Sequence, residues 1–114
     1  MDYENINRIE FDYNGKHYCL EYTPDTLARM EASGFILDEV TTKPNLRIPQ
    51  LWEGAFLAHE SRVSKTVRNA IFKAFKSDEL IKTLYAMYNN VSAQLMGEDS
   101  DEENQGERKW TALP

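Results

Sequence analysis

Apolar and polar residues alternate on both sides of Asn14-Gly15, the dipeptide that a two-residue type I′ turn demands, so residues 6–22 read as a β-hairpin. The turn fixes the register. It pairs Tyr13 with Lys16, Phe11 with Tyr18, Ile9 with Leu20 and Asn7 with Tyr22 on an apolar face. Asp12 with His17, Glu10 with Cys19 and Arg8 with Glu21 then form the polar face. An isolated hairpin is marginal in water, so the apolar face must pack on helices or join strands of another subunit.

Beyond the hairpin the period changes from two to that of a helix. Thr23 suits an N-cap, Pro24 the first helical position and Asp25 the positive end of the helix dipole, opening a helix over about 24–33 that Gly34 closes. Phe35 to Asn45 is weakly patterned, with Asp38-Glu39-Val40 suited to a single helical turn. A second helix is expected over about 47–60, capped by Asn45 or opening at Ile48 or Pro49, since proline is tolerated in a first turn. Its stripe is Ile48, Leu51, Trp52, Ala55 and His59, widened by Phe56 and Leu57. Gly54 inside it suggests close approach by another backbone.

Ser64 caps a third helix over about 65–76, with Val67, Ala70, Ile71 and Ala74 as its stripe and Phe72 and Phe75 to one side. Ser77 caps a fourth over about 78–96, where Leu80, Leu84, Met87, Val91 and Leu95 recur at helical spacing and Gly97 stops the run. Tyr85 and Tyr88 broaden that stripe, as expected of a helix facing both core and partner. Residues 1–97 thus form one α+β globular domain, an N-terminal β-hairpin packed with about four helices. Residues 98–114 are an expected disordered acidic tail, because 98–107 contain no apolar residue to offset their ordering entropy.

Charge sharpens this division. The tail holds six acids and two bases, leaving 13 acids and 11 bases in residues 1–97, so the body is nearly neutral while the chain carries −6. Binding to a phosphate backbone needs clustered Lys and Arg, and the modest run Arg62, Lys65, Arg68, Lys73 and Lys76 reads as a solvated face, so no nucleic-acid partner is expected. The apolar run Leu51 to His59 is far short of the roughly 20 residues that cross a bilayer, and no membrane partner is expected. Cys19 is the single cysteine, which rules out an intrachain disulfide, and the N-terminus does not read as a secretion signal.

Chemistry has few footholds. His59-Glu60 begins like a zinc-protease helix but lacks the second histidine. With only His17 and His59 present, a zinc site requires carboxylates or Cys19 to be brought together by folding. No glycine-rich phosphate loop occurs, and the acidic pairs Asp38-Glu39 and Asp78-Glu79 stand where helix dipoles favour them. No catalytic residue, metal ligand or cofactor is therefore expected, and the chain does not read as an enzyme.

Several segments together carry a resemblance: Arg8 to Lys16, Leu20-Glu21-Tyr22-Thr23, Met30-Glu31, Gly34-Phe35, Lys43-Pro44, Ile48-Pro49-Gln50-Leu51-Trp52 and Gly54-Ala55-Phe56-Leu57-Ala58-His59. Over roughly residues 6–96 the chain resembles the small tail assembly chaperones of long-tailed phages and prophages of Gram-positive bacteria. Glu107-Arg108-Lys109-Trp110 is similar to their acidic, Trp-bearing ends. The resemblance implies a non-enzymatic protein that binds the tape measure protein and promotes assembly of tail tube protein around it. It also implies action in the host cytoplasm and absence from the mature virion.

Leu51, Trp52, Ala55, Phe56, Tyr85 and Tyr88 are the expected partner-binding residues, and a homo-oligomer is compatible with the same surplus of apolar surface. Glu53 places a charge inside the apolar segment and bears on which face binds. The rival readings are an inhibitory binding module whose acidic tail mimics DNA before a host nuclease, and a small metalloenzyme built on His59 and Glu60.

Overall fold

The computed structural model describes residues 6–97, so the expected acidic tail, 98–114, lies outside the described residues. The chain forms β1 (Arg8–Tyr13), β2 (Lys16–Glu21), α1 (Pro24–Ala32), a 3-10 turn (Leu37–Val40), α2 (Pro44–Gly54), α3 (Lys65–Phe75) and α4 (Asp78–Leu95). The class is α+β, with a two-stranded antiparallel hairpin and four α-helices among the described residues.

Asn14 and Gly15 adopt φ of 50° and 79°, the left-handed pair of a type I′ turn. The ladder from Arg8↔Glu21 to Tyr13↔Lys16 has the register that the turn dictates. Tyr18 and Leu20 are buried, and Phe11 stacks on Tyr18 at 5.3 Å and meets the edge of Phe75 from α3 at 5.1 Å. The apolar face of the hairpin is therefore closed by the end of a helix of the same chain.

Local chemistry sets most helix ends. At α1 the Thr23 hydroxyl accepts from the Thr26 N–H (3.2 Å), while the Thr23 N–H donates to the Thr26 hydroxyl (2.7 Å), a reciprocal cap. Gly34, at φ 99°, ends the helix: its N–H donates to the Glu31 carbonyl and the Phe35 N–H to the Met30 carbonyl, both at 3.0 Å. The chain thus reverses and buries Phe35 against the core. Ser64 and Ser77 cap α3 and α4 through the N–H groups of Val67 and Leu80.

The second helix departs from expectation at both ends. It opens at Pro44 rather than near residue 47, and Asn45 is not its cap, so Pro49 lies inside it. A tertiary contact organises this start. Glu39 on the 3-10 turn accepts from Arg47 at 2.7–2.9 Å and lies 3.6 Å from Lys43, while Arg47 also donates to the Gln50 amide oxygen at 2.9 Å. The helix stops at Gly54 rather than Glu60, because residues 55–60 serve the sheet instead. The Glu21 N–H donates to the Ala55 carbonyl (3.2 Å) and the Cys19 N–H to Glu60 Oε2 (3.0 Å), satisfying the outer edge of β2.

The core lies between the hairpin and helices α1, α2 and α4, centred on Tyr22, Leu51, Phe56, Leu84 and Met87. Tyr22 donates its hydroxyl to the Leu51 carbonyl at 2.6 Å and meets Tyr88 edge-on at 5.5 Å. α3 joins through Trp52, whose ring is 5.2 Å from Phe72 and whose Nε1 donates to the Arg68 carbonyl at 2.9 Å. This attachment turns α3 away from its expected stripe: Ile71 is buried and Val67 half-buried, but Ala70 and Ala74 face solvent. Leu95 likewise leaves the α4 stripe and is 60% exposed.

At Gly54 the close approach is by a side chain, not a backbone: an added Cβ would stand 2.3 Å from Met30 Sδ and 2.6 Å from Met30 Cε. The obstructing atoms belong to a flexible methionine side chain, so in Gly54→Ala the penalty of displacing Met30 is expected to offset the gain of about 1 kcal/mol that alanine brings to a helix, leaving stability changed by less than about 1 kcal/mol. Urea unfolding checks this. Adding Gly54→Ala to Met30→Ala should carry no such penalty, since the obstructing atoms are gone.

Candidate functional site

The expected partner residues divide sharply by burial. Leu51, Trp52, Ala55, Phe56 and Tyr88 are between 0% and 3% exposed, so the expectation that they present a binding surface is corrected: in the folded chain they are core. The reason is the docking of the hairpin and α3 onto α2. Trp52 and Phe56 meet at 5.0 Å, and Tyr88 lies 5.2 Å from Phe35, with its hydroxyl donating to Glu31 Oε2 at 3.1 Å. Burial, and then this bond to Glu31, push the Tyr88 phenol well above its ordinary value, and burial does the same to Tyr22.

Tyr85 alone of the six remains half-exposed. It lines an open apolar notch of ≈ 350 Å³ between α4 and the 3-10 turn, with Val40, Thr41, Ile81, Lys82 and Ala86. One turn separates Ile81 from Tyr85 along α4, so their side chains stand one above the other. The opposite wall is Val40, itself buried, on the turn that Glu39 ties to Arg47 and Lys43. The Arg47 guanidinium holds the Glu39 carboxyl below the usual carboxylate range. The 3-10 turn falls where Asp38-Glu39-Val40 suits a helical turn, but its anchor is not legible locally, because Arg47 lies eight residues away from Glu39. Other large apolar side chains are also exposed, among them Ile36, Leu46 and Met96.

The outer face of the hairpin gathers titratable groups. His17 lies between two carboxylates, Nδ1 2.7 Å from Asp12 and Nε2 2.9 Å from Glu10, and Arg8 donates to the second Glu10 oxygen at 2.9 Å. Hydrogen bonds to Asp12 and then Glu10 raise the His17 imidazole above 6.5, while those from His17 and Arg8 hold the Glu10 carboxyl below 4.5. Cys19 is half-buried beside them. Burial first, then the charges of Glu10 and Glu21, push its thiol up. His59 Nε2 lies 2.6 Å from Glu21 Oε1, which brings a residue of the 55–60 segment onto this face.

Comparison with known families defines the class first: residues 4–113 match a domain of unknown function, DUF5055, and the chain belongs to that family. No curated protein and no solved structure matches it. None of the described helices is long and apolar enough to cross a membrane.

Burial separates the effects of two substitutions. Trp52→Ala is expected to lower the stability of the isolated chain by about 3–5 kcal/mol, whereas Tyr85→Ala should lower it by about 1 kcal/mol; chemical denaturation reads both. The His17 cluster sets a pH dependence. A raised His17 contributes stability below 6.5 that fades as pH rises through its folded value, and a lowered Glu10 contributes stability above 4.5 that fades on acidification. An NMR titration should place the His17 midpoint above 6.5, and Asp12→Asn should move it down.

Proposed function

We propose that the chain is a non-enzymatic phage tail assembly chaperone that binds the tape measure protein and promotes assembly of tail tube protein around it. In this reading it acts in the host cytoplasm and is absent from the mature virion. The observation that carries the proposal is the apolar notch of Ile81, Tyr85, Ala86 and Val40, open to solvent on a chain whose other aromatic anchors are largely spent on its own core. The resemblance over residues 6–96 supplies the partner.

The physical logic is that of a helix in a groove. A tape measure protein exposes apolar helical stripes until the tube encloses it, and a notch between two helical elements receives side chains from such a stripe. Its volume, ≈ 350 Å³, is near the lower end for ligand pockets and suits a protruding side chain. The binding residues accordingly move from Trp52 and Phe56 to Tyr85 and Ile81. A net charge of −6 favours keeping the loaded chaperone dispersed.

Co-expression with the tape measure and tail tube proteins of the same genome, followed by purification, tests this reading. The full chain is expected to co-purify with the tape measure protein, and Tyr85→Asp to weaken that association about tenfold or more without changing the far-ultraviolet circular dichroism. Absence of a complex with either protein overturns it. Deleting residues 98–109 should leave binding intact; loss of activity on deletion would favour the acidic inhibitor instead.

A further inference from the structure

The hairpin and the segment after α2 bring together three donors of different chemistry, two from β2 and one from far along the chain. One ligand atom each from Cys19, Glu21 and His59 lies within 4.8 Å of the other two. Cys19 and Glu21 are two apart on β2, so their side chains leave the same outer face. His59 arrives on the segment that follows α2, and two hydrogen bonds fix that segment in place. These are the Glu21 N–H to the Ala55 carbonyl and the Cys19 N–H to the Glu60 carboxylate. The residues that donate these anchoring N–H groups thus also carry two of the three candidate ligands.

We propose that Cys19, Glu21 and His59 form a binding site for a divalent zinc-like cation, with a fourth position left to water. The donor set selects the metal. Thiolate and imidazole favour a borderline-soft ion such as Zn²⁺ over Mg²⁺ or Ca²⁺, which prefer oxygen-only shells. Metal–ligand bonds of about 2.0–2.3 Å in a tetrahedron place ligand atoms about 3.5 Å apart. The contact between Glu21 Oε1 and His59 Nε2, now 2.6 Å, therefore opens by about 1 Å, and since all three ligand atoms lie within 4.8 Å of one another, no pair has to close by more than about 1.3 Å. Side-chain rotation alone supplies shifts of that size, since the backbone of both segments is already held. Cys19 and Glu21 are half-buried and His59 is exposed, which gives the ion a path in and shelters its sulfur ligand. Bound there, the ion ties the 55–60 segment to the hairpin, a role independent of the tape-measure reading.

Cobalt(II), added to the intact chain and then displaced by Zn²⁺, tests the site directly. One equivalent per chain is expected to give a thiolate-to-cobalt charge-transfer band in the near ultraviolet, which Zn²⁺ abolishes. Cys19→Ser should remove the band. His59→Gln, at an exposed position, should weaken the affinity at least about tenfold. His17→Gln, in the neighbouring Glu10 and Asp12 cluster, should leave both unchanged. Zn²⁺ should also raise the melting temperature of the native chain but not of Cys19→Ser. No charge-transfer band, or a band that survives Cys19→Ser, overturns the proposal. A band lost in His17→Gln but kept at full affinity in His59→Gln places the ion on the other cluster and overturns it equally.

Discussion

Strand β2 has two edges, and only one of them can pair with β1. The outward N–H groups of Cys19 and Glu21 would otherwise face an unmet demand for partners, and the chain answers it with residues 55–60. Much of the remaining architecture follows from that docking. α2 stops at Gly54, and the Ala55 carbonyl, which a continuing helix would give to the His59 N–H, accepts from Glu21 instead. Phe56 is carried under the hairpin into the core beside Trp52, and Trp52 in turn holds α3 through Phe72 and the Arg68 carbonyl.

The same docking explains why some features were legible along the sequence and others were not. The hairpin's register is readable along the sequence from Tyr13↔Lys16 to Arg8↔Glu21, since Asn14-Gly15 admits one turn type and the turn fixes the pairing, while the expected Asn7 and Tyr22 pair lies beyond the ladder. Thr23, Ser64 and Ser77 were readable as caps because a cap is decided by atoms within three residues. The ends of α2 were not, because they depend on Glu39 reaching Arg47 and on Glu21 reaching Ala55, contacts between segments that a local pattern does not relate. Nor does an apolar stripe distinguish core from interface. Trp52, Phe56 and Tyr88 have the spacing of partner anchors and the burial of core residues, and only the positions of the hairpin and α3 separate the two.

Burial of those aromatics changes where spare apolar surface lies without removing it. Tyr18, Phe11 and Phe75 form a chain of ring contacts from the hairpin to the end of α3, and Phe72 meets Trp52, so most of the aromatic surface on that side is taken up from within, although Phe75 stays 40% exposed. On α4, Tyr88 turns inward to Tyr22 and Phe35, while Tyr85, three residues earlier, turns toward the open notch. A broadened stripe on a terminal helix therefore divides into an inner face and an outer one. The expectation that α4 serves both core and partner keeps its inner half as a finding and its outer half as the basis of the proposed binding surface.

The two edges of the sheet are managed by different means. β2 is covered by chain, whereas β1 carries Arg8, Glu10 and Asp12, which face outward with His17 among them. Charged side chains along an edge strand disfavour pairing with a second sheet, because a neighbouring strand would have to desolvate them. Ions and strands are thus sorted across a few ångströms of one hairpin. On β1 the charges neutralise one another in the Arg8, Glu10, His17 and Asp12 chain, while on β2 the thiol stands among Glu10, Glu21 and Glu60 with Arg8 as the opposing charge. A cation approaching the outer face beside Cys19 therefore meets three carboxylates against one guanidinium, where the sulfur is half-buried and the imidazole of His59 is already held by Glu21.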